Sequence, residues 1–390
     1  METESSPQKH LSRAKDAITR RVFPIREGRP SVWPVGEYNE GEPLTNYVVY
    51  FAGHGSPQAA GMEKALRQLE PIDSLYSSIT ASLGYDLGNL TNEQLRQTSF
   101  AQPAIAAYNV SSALVHEMAN PIELQNKPFT VSGQSAGVSS AGWFANMFGD
   151  RATKDAVLLH IEMASVRGEI MQKMKDNPPS GHILISAGNR KSAATEKEKD
   201  ALEAIRQESL PRKLPVSLAI DISNTRIILG GEKEELKKMH EIYKDRFGGL
   251  NLHYFEIPTS CVAFHGKVME PVEQQIREMF EKLRPEMQDP EIPILSNTYQ
   301  NPRLLTTVDE YIEEQVRLVT QPVFGRDMDN FLREHGIDTG LEFGERGIIA
   351  KSMDGFEISP RSVVIAGTAL TAGVALAIGT GYLVRRKGKD

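Results

Sequence analysis

Five consecutive apolar positions, Tyr47-Val48-Val49-Tyr50-Phe51, predict a short strand covered on both faces. The run breaks at Gly53-His54-Gly55-Ser56-Pro57, which is too glycine-rich to continue a sheet. Helical spacing of apolar residues follows around 58–69, 71–83 and 102–118. A second brief strand over Phe129–Ser132 runs into Gly133-Gln134-Ser135-Ala136-Gly137 and then a helix through about Met147, with a further helix over 153–174. Strands alternating with helices at this spacing predict an α/β core with a largely parallel sheet.

The pattern changes over 177–258. His182–Ala187 reads as a strand, Thr195–Glu208 as a charged amphipathic helix, and Val216–Leu229 as two strands joined at Ser223-Asn224. Glu232–Asp245 is a second charged helix and Leu252–Ile257 a last strand. The order βαββαβ is that of a ferredoxin-like subdomain, with Pro178-Pro179 and Pro258 as hinges. Helices near 270–284, 307–319 and 326–335, with short strands at Pro293–Ser296 and Thr339–Phe343, predict a return to the larger domain. The domain reading is therefore 47–176 plus 259–350, interrupted by 177–258.

The two ends differ from this core. Val363–Val384 is 22 residues without a charge, long enough to cross a bilayer as a single transmembrane helix. It follows a 351–362 linker and precedes a basic tail, 385–390. Ala369, Gly373, Ala377 and Gly381 form a small-residue stripe that would permit self-association of the helix. Residues 1–46 read as a disordered or targeting tail: Leu11, Ala14, Ile18 and Val22 share a face beside Arg13, Lys15, Arg20 and Arg21, but Glu2, Glu4 and Asp16 spoil a transit pattern.

Composition narrows the function classes. Lys and Arg total 44 against 51 Asp and Glu, a net of -7, which argues against nucleic acid as a partner. The single cysteine, Cys261, excludes an intramolecular disulfide framework and a Cys-based zinc cluster. Neither a metal nor a bound cofactor is expected. Beside Val262 and Phe264, that thiol reads as a core residue rather than a nucleophile.

Gly133-Gln134-Ser135-Ala136-Gly137 has the spacing of a nucleophile elbow, in which glycines let a strand turn sharply into a helix and leave the serine hydroxyl exposed. The helix start would aim backbone N–H groups at a developing oxyanion. Serine needs a base, and among nine histidines His265 stands at an apolar-to-loop transition after the subdomain. Arg167, in the 153–174 helix, reads on helix pattern alone as solvated or paired with Glu162 or Glu169.

Taken together, several segments resemble one family. Phe51-Ala52-Gly53-His54-Gly55-Ser56 is similar to the Phe-Pro-Gly-Gln-Gly-Ser opening of malonyl-CoA:acyl-carrier-protein transacylases. Thr98 with Gln102-Pro103-Ala104-Ile105 resembles their Thr-Gln-Pro-Ala-Ile helix start, and the 133–137 elbow falls where Gly-His-Ser-Leu-Gly would be. Arg167-Gly168 with Met171-Gln172, Ala263-Phe264-His265 with Met269, and Ile292-Pro293 through Asn297 continue the series. Gln321-Pro322-Val323 and Leu341-Glu342-Phe343-Gly344 close it, so the motifs run in order over 47–350. The motif set looks closest to the mitochondrial branch.

The resemblance implies an α/β-hydrolase-like domain interrupted by a ferredoxin-like subdomain, and a ping-pong malonyl transfer from coenzyme A to acyl carrier protein for fatty acid synthesis. Ser135 would attack the malonyl-CoA thioester and His265 would take its proton. The Ala136 N–H and one from the His54 loop would hold the oxyanion, and Arg167 the malonyl carboxylate, with Gln134 and Gln102 beside the substrate. Leu318 or Gln315, with Asn297 nearby, would orient His265 through a main-chain carbonyl. The acceptor thiol is the phosphopantetheine of acyl carrier protein. This sequence departs from the family in three places: His54 and Gln134 stand as if exchanged, and Val138 replaces an acidic residue. The exchange keeps open a hydrolase on the same scaffold, or a degenerate carrier-protein binder. The C-terminal span implies a membrane anchor, in mitochondria rather than the endoplasmic reticulum.

Overall fold

The computed structural model describes residues 46–53, 66–67, 69–119, 124–175, 178–188, 193–210, 215–257, 262–337, 339–343, 356–359 and 382–386. Strand β1 (Tyr47–Phe51) is buried along its whole length, as a five-residue apolar run covered from both sides must be. It lies at the centre of a seven-stranded sheet between β10 (Thr339–Phe343) and β2 (Thr130–Gly133), parallel to both, and β2 pairs in parallel with β7 (Ile294–Leu295). Antiparallel strands extend each side: β8 (Leu304–Leu305) beyond β7, then β12 (Tyr382–Arg386) and β11 (Phe356–Ser359) beyond β10. The parallel centre matches the sequence expectation, and the whole sheet is mixed.

Helices α1 (Glu70–Leu83), α2 (Thr98–Ala119), α3 (Gly137–Phe144) and α4 (Lys154–Gln172) follow β1 and β2. Gly84, at φ 81°, ends α1 in a left-handed cap. The smaller sheet has the order β6-β3-β5-β4-β9. Strands β3 (Ser180–Ala187), β4 (Val216–Ser223), β5 (Arg226–Glu232) and β6 (Leu252–Glu256) are antiparallel, with α5 (Glu196–Ser209) and α6 (Lys233–Phe247) in the connections. This is the βαββαβ pattern with β3 and β5 inside. Thr195 caps α5 reciprocally with Glu198, which fixes where the helix starts.

Helices α7 (Glu270–Leu283), α8 (Val308–Thr320) and α9 (Gly325–Glu334) follow the smaller sheet in the chain. Between α8 and α9, β9 (Val323–Phe324) pairs in parallel with β4, so the returning chain stitches the small sheet to the elements that carry the site.

Two expectations at the C-terminus need correction. Tyr382–Val384, the final residues of the expected transmembrane helix, belong to β12, and Arg385 and Arg386 continue that strand rather than a basic tail. A free sheet edge at β10 offers N–H and C=O groups that an apolar, β-compatible segment satisfies by pairing. The expected 351–362 linker contains β11. No helix among the described residues is long and apolar enough to cross a membrane, and residues 363–381 lie outside them, with the small-residue stripe. The expected tail 1–46 lies outside the described residues except Asn46.

Candidate active site

The chain turns from β2 into α3 within four residues. Ser135 sits in the turn at φ +52°, a left-handed conformation that costs a residue with a Cβ about 1–3 kcal/mol. Packing holds it there. A Cβ on Gly137 would lie 2.2 Å from the Phe51 carbonyl oxygen, so the start of α3 can press against the end of β1 only because that position is bare. Gln134 donates its N–H to the Phe51 carbonyl at 3.0 Å. A Cβ on Gly53 would meet the Gln134 carbonyl at 1.9 Å and come within 3.3 Å of Ser135 Cβ, so the loop after β1 lies on the elbow. His54, the next residue of that loop, is outside the described residues. Gly137 and Val138 donate to the Gln134 and Ser135 carbonyls, which closes the first turn. The Ala136 N–H precedes this ladder and is one of the helix-start donors with no intrahelical acceptor.

His265 reaches Ser135 from 130 positions later in the chain. Its Nε2 is 2.8 Å from Ser135 Oγ, and both side chains are buried. Its Nδ1 lies 2.6 Å from the Leu318 carbonyl oxygen. A carbonyl only accepts, so Nδ1 carries the proton, Nε2 is left as acceptor, and the serine hydroxyl donates to it. The backbone reinforces the placement: His265 is itself left-handed at φ +63°, and its N–H donates to the Val319 carbonyl at 3.0 Å. The main-chain carbonyl of Leu318, not Gln315, meets the imidazole; the Gln315 side chain is fully buried near Tyr311. The βαββαβ unit also grips this loop. His182 Nε2 lies 3.1 Å from the Phe264 carbonyl, and Ser180 Oγ accepts the Ala263 N–H at 3.0 Å. Burial pulls the His182 pKa down to about 4, so its ring is neutral and donates to that carbonyl.

Asn297 acts on the serine turn. It donates Nδ2 to the Gly133 carbonyl at 2.5 Å, at the end of β2 just before the elbow. Glu314 of α8, a residue absent from the sequence reading, secures that loop. Its fully buried carboxylate accepts from Asn297 N at 2.9 Å, Thr298 N at 3.2 Å, Ser296 Oγ at 2.7 Å and Thr298 Oγ1 at 2.6 Å. One turn later the same helix presents the Leu318 carbonyl to His265. Helix α8 thus braces both the serine turn and its base. Tyr311, Glu314, Gln315 and Leu318 share one face of α8, so a carboxylate within a core-facing stripe was the available signal.

Arg167 and Gln102 form a second constellation. Arg167 is 2% exposed, which corrects the solvated reading of its helix. Helix α4 is covered on several sides, so it lacks the one-sided pattern from which exposure is read. Arg167 Nη1 donates to Gln102 Oε1 at 2.9 Å, and Gln102 Nε2 lies 3.1 Å from Met171 Sδ. Among the described residues no carboxylate pairs with Arg167, and its buried Nε has no hydrogen-bond partner. Burial lowers its pKa to about 10, which leaves it charged at neutral pH. Tyr311 connects the two constellations. Its Oη would lie 2.6 Å from a Cβ on Gly142 in α3, and it is close enough to Arg167 for that charge to favour the phenolate, although burial raises the phenol pKa more.

The arrangement can perform nucleophilic attack on a carbonyl: a strained serine, a neutral imidazole of defined tautomer, a helix start, and a buried cation able to take an anionic group. Among the described residues no group of His, Cys, Asp and Glu could hold a metal ion, and Cys261 is outside them.

Searched as a sequence, the chain matches no protein-family model and no curated protein. As a structure it is similar to several solved malonyl transacylases. One, solved in complex with a type II polyketide synthase acyl-carrier protein, has a TM-score of 0.63 and 22% identity over 79% of this chain and 91% of that one. The malonyl-CoA:acyl carrier protein transacylase of Helicobacter pylori gives 0.63 and 21%, covering 79% and 90%. The corresponding protein of Mycobacterium tuberculosis gives 0.61 and 22%, covering 78% and 91%. At these identities the likeness establishes the fold, an α/β arrangement of two mixed sheets shared with these transacylases.

Proposed function

We propose that the protein is an acyltransferase that moves a malonyl group from coenzyme A to the phosphopantetheine thiol of acyl carrier protein through an acyl-serine intermediate. The observation that carries the reading is the buried Arg167 cation without a carboxylate partner. A guanidinium taken out of water and left uncompensated costs several kcal/mol, which a bound carboxylate offsets. With Nη1 held by Gln102, Nε and the other Nη remain for a two-point grip on the malonate carboxylate.

Ser135 Oγ attacks the thioester carbonyl while its proton passes to His265 Nε2. The Leu318 carbonyl keeps Nδ1 protonated and accepts from the imidazolium that forms. The carbonyl oxygen becomes an oxyanion against the Ala136 N–H. Collapse breaks the carbon–sulfur bond, and the proton on Nε2 goes to the departing coenzyme A sulfur. In the second half the carrier thiol gives its proton to Nε2, its sulfur attacks the malonyl-serine ester, the ester carbon–oxygen bond breaks, and Ser135 Oγ takes the proton back from Nε2. Kinship in fold with a transacylase solved on an acyl-carrier protein supports the choice of acceptor.

The test is incubation of the full chain with radiolabelled malonyl-CoA, alone and with phosphopantetheinylated carrier protein. Wild type should carry a label that moves to the carrier, and Ser135→Ala should carry none. Arg167→Ala should lower kcat/KM for malonyl-CoA by about a hundredfold or more and leave acetyl-CoA nearly unchanged. Equal loss for both donors would remove Arg167 from the carboxylate site. Coenzyme A release that is unaffected by carrier protein would identify a hydrolase instead, and an unlabelled wild type that binds carrier protein would identify a binder.

A further inference from the structure

A separate cavity of about 230 Å³ opens between the C-terminal end of α1, one face of α4, and α7. None of Ser135, His265, Arg167 or Gln102 lines it. Met279 and Leu283 of α7 supply an apolar wall. Its polar groups come from Ser82, Tyr85, Glu162, Ser165 and Glu169, and no lysine, arginine or histidine is among the described lining residues.

Glu162 is the unusual member. It is 5% exposed, and its Oε1 accepts the Ser82 hydroxyl, yet its buried Oε2 has no hydrogen-bond partner among the described residues. A carboxylate oxygen removed from water with no donor is costly, burial raises the Glu162 pKa accordingly, and none of the described lining residues supplies a positive charge to offset it. The Tyr85 phenol is engaged with Ser165, and its pKa is pushed up to about 12, mainly by burial, so it stays neutral. Glu169, exposed and on the same face of α4, adds a second acid rather than a counter-charge. What the cavity lacks is a positive hydrogen-bond donor with an apolar body. Its volume lies below the roughly 300 Å³ of ordinary ligand pockets, which limits the occupant to a fragment.

We infer that this cavity is a binding site for a small organic cation, a protonated primary amine whose ammonium meets Glu162 Oε2 and whose short tail lies against Met279 and Leu283. The site is independent of acyl transfer, since it shares no residue with the serine centre.

The test uses n-butylammonium and 1-butanol, which match in shape and differ in charge. Each is titrated into the full-length protein at pH 8 while the methionine methyl signals, Met279 among them, are followed by NMR. Butylammonium should bind at least about tenfold more tightly than butanol, the difference expected of a charge-assisted bond. Glu162→Gln, which keeps the shape and an acceptor for Ser82, should erase that preference while the thermal transition stays cooperative. Val166→Trp, which fills the cavity and leaves Glu162 in place, should abolish binding of both. Equal affinity for the two probes, a preference that survives Glu162→Gln, or no Met279 shift with either probe would each overturn the inference. So would an equal response to ammonium chloride, which has no tail.

Discussion

Removing the Glu314 carboxylate should loosen the serine turn from a distance. In wild type it accepts four hydrogen bonds from three consecutive residues, 296–298. Glu314→Ala leaves the Asn297 and Thr298 backbone N–H groups buried without acceptors. At about 1–3 kcal/mol each, that is a loss of about 2–6 kcal/mol, before any cost of the void. The Ser296 and Thr298 hydroxyls can rotate to other acceptors and add little. Glu314→Gln retains an amide oxygen for the two N–H groups and an NH₂ that can donate to the hydroxyls, so it should stay within about 1 kcal/mol of wild type. The pH dependence has a definite sign. Burial raises the Glu314 pKa, so the protonated form is favoured in the fold, and the stability it contributes is lost as pH rises through that raised pKa. Glutamine cannot ionise, so the Gln variant should gain on wild type as pH rises. Denaturant unfolding read for midpoint and slope measures both effects. Because Asn297 holds the Gly133 carbonyl, acylation of Ser135 by malonyl-CoA should also slow about 10- to 100-fold in the folded Ala variant. An Ala variant within about 1 kcal/mol of wild type and acylated at the wild-type rate would refute the bracing role.

Two further outcomes can be checked directly. Gly168→Ala places a Cβ 2.5 Å from the Thr98 carbonyl oxygen and 3.1 Å from Ser99 Cα, where helices α2 and α4 meet; it should cost about 1–3 kcal/mol by thermal unfolding and weaken malonyl-CoA binding by displacing Arg167 from Gln102. His160 is stacked between Trp143 and Phe148, and its pKa is lowered to about 3 by burial; against an ordinary value of 6.5, stability is lost as pH falls from that value toward about 3, at up to about 1.4 kcal/mol per pH unit. His160→Phe should flatten the stability profile over that window, and an unchanged slope in urea titrations would count against a neutral buried ring.

The serine elbow was legible because its cause is local. Two glycines flanking Ser135 between a short β run and a helix-compatible segment satisfy steric rules that act within a few residues. The βαββαβ order was legible for the same reason, since the period of apolar positions declares each element. His265 was marked only weakly, by an apolar-to-loop transition, and its partnership with Ser135, like the role of Arg167, was reached through family resemblance, because no local pattern encodes a contact 130 positions away.

What the sequence alone determined is the succession of elements and the sharp turn at Ser135, consequences of backbone sterics and side-chain periodicity at short range. Tertiary structure decided which groups meet. It brought the Leu318 carbonyl to His265, buried Glu314 beneath the 296–298 loop, and enclosed Arg167 and Glu162 in a helix covered on several sides. It also paired Tyr382–Arg386 with the open edge of β10, where the apolar run had read as the end of a membrane helix. Burial and pairing depend on which surfaces arrive from elsewhere in the chain, and a residue's neighbours in sequence do not contain that information.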